Sequence, residues 1–527
     1  MNRNIARIVA GALLFSIAIC QLASAKGPED VVFEIARFEV SGNNLVPSSV
    51  VDAALSGYTG KNRDFDTISQ AVDALERLFH ERGFKLTTVG LPEQALNQKI
   101  VRLEVSQPTI GRLIVSGNAA FDDDNIRRSL PALVVGESPN MDAVSTSLKY
   151  ANEHPAKKLT LRLSSGDTDK VVDAMVNVTE ENPWKLTFSV DNAGQSQTGA
   201  TNASAAIQHA NVWGLDHLAS LQYATTVEKP NQVRVYGGSY HIPFYTSGDS
   251  LDFFGNYSDV DSGFVQSGLL NFGITGKGTV WGARYTKRLG DGKDSEAKLA
   301  LGLDVKRFKS SVLLSGYELG SEMVVRPLSV NYSDQWSLAQ GQLNVSLTMS
   351  QNLPGANNGS SEDFAKNRVG ATDTFRVFRF ALAYTRAFEA DTQMRIVLNG
   401  QQTGDALVSG EQFGAGGASS VRGFGERTIA NDVGATLNAE WYSANYCADG
   451  TNWNCRLVGF YDTAYVKRNM ALPGELDDAV VSSAGIGARF SLGSRSTVQL
   501  DLGHVLRAHD LDNRDAYRLH MRANFVY

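Results

Sequence analysis

A glycine-rich stretch in the C-terminal half carries the side chains with the clearest chemical role. It runs from about Gln402 to Val433 and contains the segment EQFGAGGASSVRGFGER. The glycines resemble those of a phosphate loop, but GK[ST] is missing and no helix follows, so nucleotide binding is not predicted. Arg422 is flanked by Val421 and Phe424, which favours a tip that folds inward. A buried guanidinium cannot lose its charge, so Arg422 needs a carboxylate partner.

Glu440 is a candidate partner for this arginine. It lies in the segment TLNAEW, where Thr436 and Asn438 share its parity, so it faces the polar side of a strand. The alternative is that Glu440 is a solvated charge with no partner in the loop. Neither reading is catalytic: the eight histidines are scattered, and the chain has neither HExxH nor GxSxG. We therefore expect no enzyme activity, metal or cofactor.

The first 25 residues have the pattern of a secretory signal peptide. Arg3 and Arg7 precede an apolar stretch from Ile8 to Cys20, and Ala23-Ser24-Ala25 supplies the small residues of a cleavage site. An anchoring helix is less favoured, because spanning a bilayer takes about 20 apolar residues. The sequence predicts a signal peptide over residues 1–25 and an exported protein.

Cys447 and Cys455 are the two cysteines left after signal-peptide removal. They lie close together in the polar segment NYCADGTNWNC. In an exported protein, such a pair is expected to close a hairpin as a disulfide. Zinc binding is not favoured, because no nearby histidine supplies the two further ligands.

Composition excludes several broad classes. The chain has 527 residues, 43% hydrophobic and 20% charged, with 49 Gly, 13 Pro and a formal net charge of -7. This length predicts at least two folded units. The acidic balance argues against a nucleic-acid partner, and the mean hydropathy of -0.19 is too low for a helical membrane protein.

The N-terminal third contains two copies of one small domain. IARFEVSGN begins at Ile35 and IGRLIVSGN at Ile110, with identity at six of nine positions. Each copy continues with two helical patterns and two strand patterns, which gives the order βααββ. The glycine in each phrase, Gly42 or Gly117, is expected to allow a turn with positive φ. We place the repeats at residues 33–107 and 108–181.

From residue 182 to 527 the pattern changes to strict alternation of apolar and polar residues. Leu299, Leu301 and Leu303 share one parity, while Asp304 and Lys306 occupy the other. Alternation alone fits either a soluble sandwich or a membrane barrel. Many runs reach nine to eleven residues, the length of a tilted transmembrane strand, so a transmembrane barrel is favoured.

The strand count requires one interpretation. Seventeen runs are visible, but a closed antiparallel barrel with the repeats on the same side as the C-terminus needs an even number. We expect the runs 267–275 and 279–288 to form one strand with a bulge at Gly276 and Gly278. Sixteen strands result, with short connections on the side of the repeats and long ones opposite. Two βααββ repeats followed by this barrel define the predicted fold class: signal peptide, two α+β domains and a 16-stranded antiparallel barrel with an inward-folded loop.

This arrangement resembles the BamA/TpsB superfamily of outer-membrane barrels, in which such repeats are called POTRA domains. The motif Val421-Arg422-Gly423-Phe424 is similar to the loop motif of that superfamily, and two repeats are typical of the TpsB transporters of two-partner secretion, the haemolysin-activator type. The resemblance covers residue 33 to the end. Further matching segments are DNAGQSQTG (191–199), SYHIPF (239–244), EQFGAGG (411–417) and GFYDTA (459–464).

The resemblance implies that the loop plugs the lumen and that Arg422 pairs with the acid of the strand motif, here Asp462. Alternation does not nominate Asp462, since it shares a parity with Val458 and Phe460. Ala464 stands where the family often has glycine. Relatives also carry an N-terminal helix that lies in the pore. Because few residues separate the signal peptide from the first repeat, we expect no such helix here and a pore closed by the loop alone.

The resemblance also implies a function and a location. The chain would reside in the bacterial outer membrane, in contact with its lipid, with the POTRA domains in the periplasm. They would capture an unfolded TpsA-like exoprotein and pass it through the barrel without nucleotide hydrolysis. The terminal Tyr527 fits the signal read by the barrel assembly machinery. The alternatives are an assembly factor of the same superfamily and a passive porin or receptor, which would leave the two repeats without a role.

Overall fold

The computed structural model describes residues 32–95, 98–195, 198–260, 277–291, 295–309, 322–447, 450–475, 477–509 and 516–527, with four short strand segments between them. The predicted signal peptide lies outside the described residues. The chain divides into two compact units, Met1–Pro108 and Thr109–Tyr527. None of the helices in the described part of the chain is long and apolar enough to cross a membrane.

The first unit contains the βααββ order that the repeat pattern predicts. Its sheet has the order β2-β5-β4, with a parallel pair and an antiparallel pair. The second helix starts where the Asp64 side chain accepts a hydrogen bond from the Thr67 backbone N–H at 2.8 Å. A ribbon of β1 and β3 was not predicted. The elements are β1 (Phe33–Ile35), β2 (Arg37–Ser41), α1 (Ser48–Leu55), β3 (Gly60–Arg63), α2 (Phe65–Glu81), β4 (Thr88–Gly90) and β5 (Ile100–Ser106).

The second repeat begins the second unit and has the same arrangement. Its three strands have the order β6-β8-β7, again with one parallel pair. The two repeat glycines have φ of +79° at Gly42 and +83° at Gly117. A Cβ there would lie 2.3 Å from Val105 O and 2.5 Å from Val178 O, respectively. Glycine is therefore required at both turns. The elements are β6 (Thr109–Ser116), α3 (Asp123–Ser129), α4 (Met141–Ala151), β7 (Lys157–Ser165) and β8 (Val171–Glu180).

The remainder of the chain forms a closed antiparallel barrel of sixteen strands, as predicted. One of these strands has two parts, β20 and β21, which both pair with β17 and are separated at Arg326. The strands are β9 (Trp184–Asp191), β10 (Asn202–Val212), β11 (His217–Thr226), β12 (Val233–Phe244), β13 (Asp249–Val260), β16 (Lys277–Asp291), β17 (Glu296–Lys309), β20 (Glu322–Val325) with β21 (Pro327–Leu338), β22 (Gly341–Asn352), β23 (Arg376–Ala387), β24 (Gln393–Gln402), β27 (Val433–Tyr442), β28 (Trp453–Lys467), β29 (Asp478–Leu492), β30 (Ser496–Arg507) and β31 (Tyr517–Val526).

The predicted merging of the runs 267–275 and 279–288 into one bulged wall strand is wrong. Gly278 pairs regularly with Ser258 on one side and Phe308 on the other, so no bulge occurs there. Gly276 lies outside the described residues. Its neighbours β15 (Ile274–Thr275) pair with β14 (Phe264–Val265) in a separate ribbon. An apolar run in a loop has the same local pattern as a wall strand, which explains the error.

Alternation along the strands separates an apolar outer face from a polar inner face. On β17, Leu301 and Leu303 are 52% and 46% exposed on the outside. On the inner face of the same strand, Asp304 accepts two hydrogen bonds from Arg284 at 2.6 and 3.1 Å. A continuous band of exposed apolar side chains is stable when it faces hydrocarbon rather than water.

The connections differ in length on the two sides of the barrel. On the side of Trp184 they are short, as at 213–216, 245–248 and 493–495, and on the other side they include 353–375 and 403–432. This is the predicted asymmetry. The long side also contains the ribbon of β18 (Leu313–Leu314) with β19 (Tyr317–Glu318) and the helix α5 (Ser361–Asn367).

The second repeat contacts the short-turn side of the barrel through a buried ion pair. Lys157 of β7 donates to Asp216 in the turn after β10 at 2.5 Å, and both residues are 1% exposed. Lys157 also donates to Asn125 and Ser129, each at 2.7 Å. The Tyr245 hydroxyl donates to Asp216 at 2.8 Å. Burial alone would raise the pKa of Asp216, but the Lys157 ammonium outweighs it and holds that pKa below its ordinary value.

A second ion pair also joins the second repeat to the barrel. Arg288 near the end of β16 donates through Nη2 to both oxygens of Glu153, at 2.5 and 2.7 Å. Its guanidinium carbon lies 4.5 Å from the centre of the Tyr150 ring, a cation–π contact. Lys157, Asp216 and Arg288 are buried charges that need their partners, so these contacts fix the second repeat on the barrel.

We predict that Lys157→Met loosens this junction. Removing one member of a buried ion pair leaves the other unpaired, at a cost of about 3–5 kcal/mol. Calorimetry and limited proteolysis of the detergent-solubilised protein should show earlier unfolding of the second repeat, while the barrel keeps its heat-resistant migration. The matched control is Lys158→Met, since Lys158 is the exposed neighbour on the same strand. Equal melting of the two variants would contradict the prediction.

Candidate functional site

The connection 403–432 between β24 and β27 folds into the barrel instead of extending away from it. Its ends form a ribbon of β25 (Phe413–Ala415) and β26 (Ile429–Asn431). Val421 and Phe424 at its tip are 0% and 1% exposed. They form one apolar cluster with inward side chains of three wall strands, which include Val466, Val481 and Val505.

Two glycines allow the tip to lie directly against the wall. Gly423 has φ +94°, a conformation that other residues rarely adopt. Opposite it, a Cβ on Gly503 of β30 would lie 2.6 Å from the Gly423 backbone nitrogen. The Gly423 N–H donates to Nε2 of His520 at 3.0 Å, so that ring nitrogen carries no proton in this contact.

Arg422 lies between these tip residues and forms a bidentate pair with Asp462 of β28. Its Nε donates to Oδ2 and its Nη2 to Oδ1, both at 2.7 Å, and its backbone N–H donates to Oδ2 at 3.1 Å. Arg422 is 3% exposed and Asp462 is 0% exposed. A planar guanidinium matches a carboxylate in this geometry, which a lysine cannot reproduce.

Glu440 of β27 completes the arrangement. It accepts a hydrogen bond from Nη1 of Arg422 at 2.7 Å, so the structure places Arg422 between both of the acids named from the sequence. The other oxygen of Glu440 accepts from the Tyr442 hydroxyl at 2.8 Å and from Arg395 at 3.2 Å. Glu440 of β27 and Asp462 of β28 are therefore both hydrogen-bonded to Arg422.

Three further residues around Arg422 were missed by sequence reasoning. Asp501 of β30 lies 3.6 Å from Nη1 of Arg422 and pairs with Arg489 at 2.8 Å. Asn438 donates to Oδ1 of Asp462 at 2.8 Å. The Phe460 ring centre lies 3.6 Å from the guanidinium carbon. Asn438 and Asp501 share the inward parity of polar residues on their strands, and that signal would have found them.

The loop base is held at the opposite rim from the short turns. Asp432, which is 0% exposed, accepts two hydrogen bonds from Arg368, one of them at 2.7 Å. It also accepts from the Leu407 and Asn469 backbone N–H groups, at 2.9 and 2.7 Å. Both the base and the tip of the loop therefore depend on buried carboxylate–guanidinium pairs.

Cys447 and Cys455 lie away from this site. A disulfide joins Cys447, in the connection after β27, to Cys455 near the start of β28, on the short-turn side, with a Cα–Cα distance of 5.3 Å. The Tyr446 backbone N–H donates to Cys455 O at 2.8 Å. The bond therefore closes a hairpin and contributes no group to the lumen.

The lumen beside the loop tip is polar. A cavity of about 250 Å³ is lined by residues that include Arg395, Glu440, Arg489, Asp501 and Arg522. Among the described residues, no group of three or more His, Cys, Asp or Glu side chains is arranged to hold a metal ion. The observed chemistry of the site is ion pairing between a loop and a wall.

Comparisons with known proteins give consistent matches over nearly the whole chain. The family model for the haemolysin secretion/activation protein ShlB/FhaC/HecB matches residues 173–490. The model for the POTRA domain, ShlB-type, matches residues 33–107, which is the first repeat.

The curated relatives that match this chain are named as transporters. The chain is 23% identical over 431 residues to the outer membrane transporter CdiB of Escherichia coli O6:K15:H31 (strain 536), with 79% of this chain and 70% of the relative covered. It is 20% identical to the heme/hemopexin transporter protein HuxB of Haemophilus influenzae (strain 86-028NP), with coverage of 96% and 89%. It is 24% identical to the hemolysin transporter protein ShlB of Serratia marcescens, with coverage of 87% and 80%.

Solved structures share the fold. CdiB from Escherichia coli superposes with a TM-score of 0.74 at 18% identity, with 97% of this chain and 93% of that chain covered. BamA from Haemophilus ducreyi lacking POTRA domains 1-3 gives 0.54 at 14% identity, with 94% and 100% covered. Since the first family model covers more than half of the chain, the chain belongs to the haemolysin secretion/activation family ShlB/FhaC/HecB, the TpsB-type transporters of the bacterial outer membrane with N-terminal POTRA domains in the periplasm.

Proposed function

We propose that this protein exports an unfolded exoprotein across the outer membrane through its own barrel. In the resting state the loop 403–432 occupies the lumen, and it has to move for a chain to pass. The observation that carries this proposal is the position of Arg422, which is buried inside the barrel between Asp462 and Glu440. These contacts hold the tip on the wall in one defined resting position, from which the loop is released when a client passes.

The repeats supply a means of capturing a client. We assign residues 33–107 and 108–181 to two POTRA domains. The sheet orders β2-β5-β4 and β6-β8-β7 leave an outer strand at each sheet edge. An extended chain can add to such an edge through main-chain hydrogen bonds, which tolerate varied side chains. This mode suits an unfolded TpsA-like exoprotein of unspecified sequence.

The remaining steps need no site for a nucleotide. We propose that folding of the client outside the cell makes export irreversible. The barrel assembly machinery would read the C-terminal strand β31 with Tyr527 after it, and outer-membrane lipid would cover the apolar outer face. An assembly factor for other barrels and a passive porin are the competing functions. The match to the haemolysin secretion model over residues 173–490 favours secretion over assembly.

We predict that Arg422→Ala lowers secretion without preventing insertion. The apolar packing around Val421 and Phe424 and the hydrogen bonds of the wall strands remain, so the barrel still inserts. The loop loses the bidentate contact that defines its resting position and leaves buried carboxylates unpaired, so fewer molecules hold the arrangement from which passage starts. The measurement is the protein content of the culture medium from strains with the original chain, with Arg422→Ala and without the chain. The client is a protein that the strain without the chain fails to release. We expect its level in the medium of the Arg422→Ala strain to fall at least about tenfold, which corresponds to about 1.4 kcal/mol in the equilibrium between secretion-competent and incompetent forms of the protein.

The matched control is Arg386→Ala. Arg386 lies on β23 at the short-turn end and donates to Gln340 at 3.1 Å, away from the loop. Heat-modifiable migration of both variants on gels reports whether the barrel has inserted. Normal release by Arg422→Ala, or an equal loss in Arg386→Ala, would count against the role assigned to the loop tip.

We predict that deleting residues 411–427 opens the pore. The deletion removes the tip and the β25 strand of the ribbon from the lumen while leaving the wall strands complete. Ion current through the purified protein in planar lipid bilayers in KCl is the measurement, and we expect a larger and more persistent conductance than for the full chain. An unchanged current would refute the proposal that this loop closes the lumen.

A further inference from the structure

Glu411 is a buried charge in the loop stem that the contacts of Arg422 do not explain. It is 2% exposed and lies just before β25. Its Oε1 accepts from Nζ of Lys306 at 2.7 Å, and its Oε2 accepts from Nη2 of Arg379 at 3.1 Å. The two cations belong to β17 and β23, which are not neighbours in the wall.

The backbone of the stem is held at the same point. The Glu411 carbonyl oxygen accepts from Nε2 of Gln401 at 3.0 Å. A Cβ on Gly410 would lie 2.7 Å from the Phe308 ring of β17, so the stem lies in close contact with that strand. The carboxylate therefore stays within reach of Lys306 and Arg379, and it bridges two separated parts of the wall.

We propose that Glu411, Lys306 and Arg379 form a stem lock, a second positioning contact that keeps the loop closed independently of Arg422. This inference rests on the proposed role of the loop as a closure of the lumen. The loop tip presents a cation to the acids of β27, β28 and β30. The stem presents an anion to cations of β17 and β23, so the two contacts use separate strands and opposite charges.

The opposite charges of the loop tip and the loop stem favour one position of the loop in the lumen. A loop placed so that Arg422 faced Lys306 and Arg379, or so that Glu411 faced Asp462, would bring like charges together, and these repel. It would also leave the buried carboxylates without their cations. Each lock therefore disfavours the wrong placement of the other, and the stem can remain attached when the tip leaves the wall.

The three side chains of the stem lock differ in their exposure to water. The Glu411 side chain is 1% exposed, whereas those of Lys306 and Arg379 are 19% and 36% exposed to the lumen. Removing the carboxylate leaves cations that water can reach. Removing a cation leaves a desolvated carboxylate with one partner fewer, which is the more costly change.

The test is ion current through the purified full-length protein in planar bilayers in KCl. We expect Glu411→Gln to raise the open fraction about tenfold, or about 1.4 kcal/mol, although Arg422 and its acids are intact. Lys306→Met and Arg379→Met should raise it at least as much. The double variant Glu411→Gln with Lys306→Met should have an open fraction no larger than that of the more open single variant. Both changes break the same contact between Lys306 and Glu411, so their effects should not add.

Lys298→Met is the matched control, because Lys298 lies on the same inward face of β17 near its other end; its current should equal that of the unchanged protein. A closed Glu411→Gln pore, additive effects in the double variant, or equal opening by Lys298→Met would overturn the stem lock. If deletion of 411–427 opens the pore while Glu411→Gln does not, the stem lock fails and the closure role stands. If neither opens it, the closure role itself fails.

Discussion

A permanently charged guanidinium inside a protein has to be matched by carboxylates, and Arg422 imposes this requirement on the whole barrel. One acid, Asp462, comes from β28 and another, Glu440, from β27. Both must face inward at the depth that the loop tip reaches. The register of the β27–β28 ladder places them diagonally, with Asp462 opposite Asn438 and Glu440 opposite Phe460, and the closed wall supplies a polar interior in which such charges are tolerated.

The length and composition of the loop follow from the same requirement. A tip that reaches this depth needs a long connection, and close backbone approach at Gly423 and Gly503 needs glycine on both sides. The acid Asp432 holds the base and Glu411 holds the stem, so successive parts of the loop are each fixed by an ion pair to a different place. A loop without these charges would gain little from entering a wet lumen, because its backbone would form hydrogen bonds to water both inside and outside the barrel.

Much of the fold follows from the sequence, because period-two alternation and repeated phrases are local signals. Glu440 could be predicted in the same way, since it shares a parity with polar neighbours. Asp462 could not, because its face of the strand is otherwise apolar. Ala464 and Val466 pack in the cluster with the loop tip, and Val458 and Phe460 are buried on the same face. With apolar residues on both faces of β28, alternation carries no information. Glu411 and Lys157 gave no signal either, since burial of a charge depends on partners that are distant in the sequence.

The hydrogen bonds of the wall and the ion pairs of the loop differ in whether water can replace them. Backbone hydrogen bonds of the wall strands lie beside hydrocarbon, where no water can replace them, so separating two strands there leaves unpaired polar groups. Around the loop, Arg395, Lys306 and Arg379 keep part of their surface in the lumen, and water can solvate them as a contact opens. The second repeat is also fixed to the barrel by the buried Lys157–Asp216 pair. We therefore propose that release of the loop is the least costly rearrangement among these parts of the second unit.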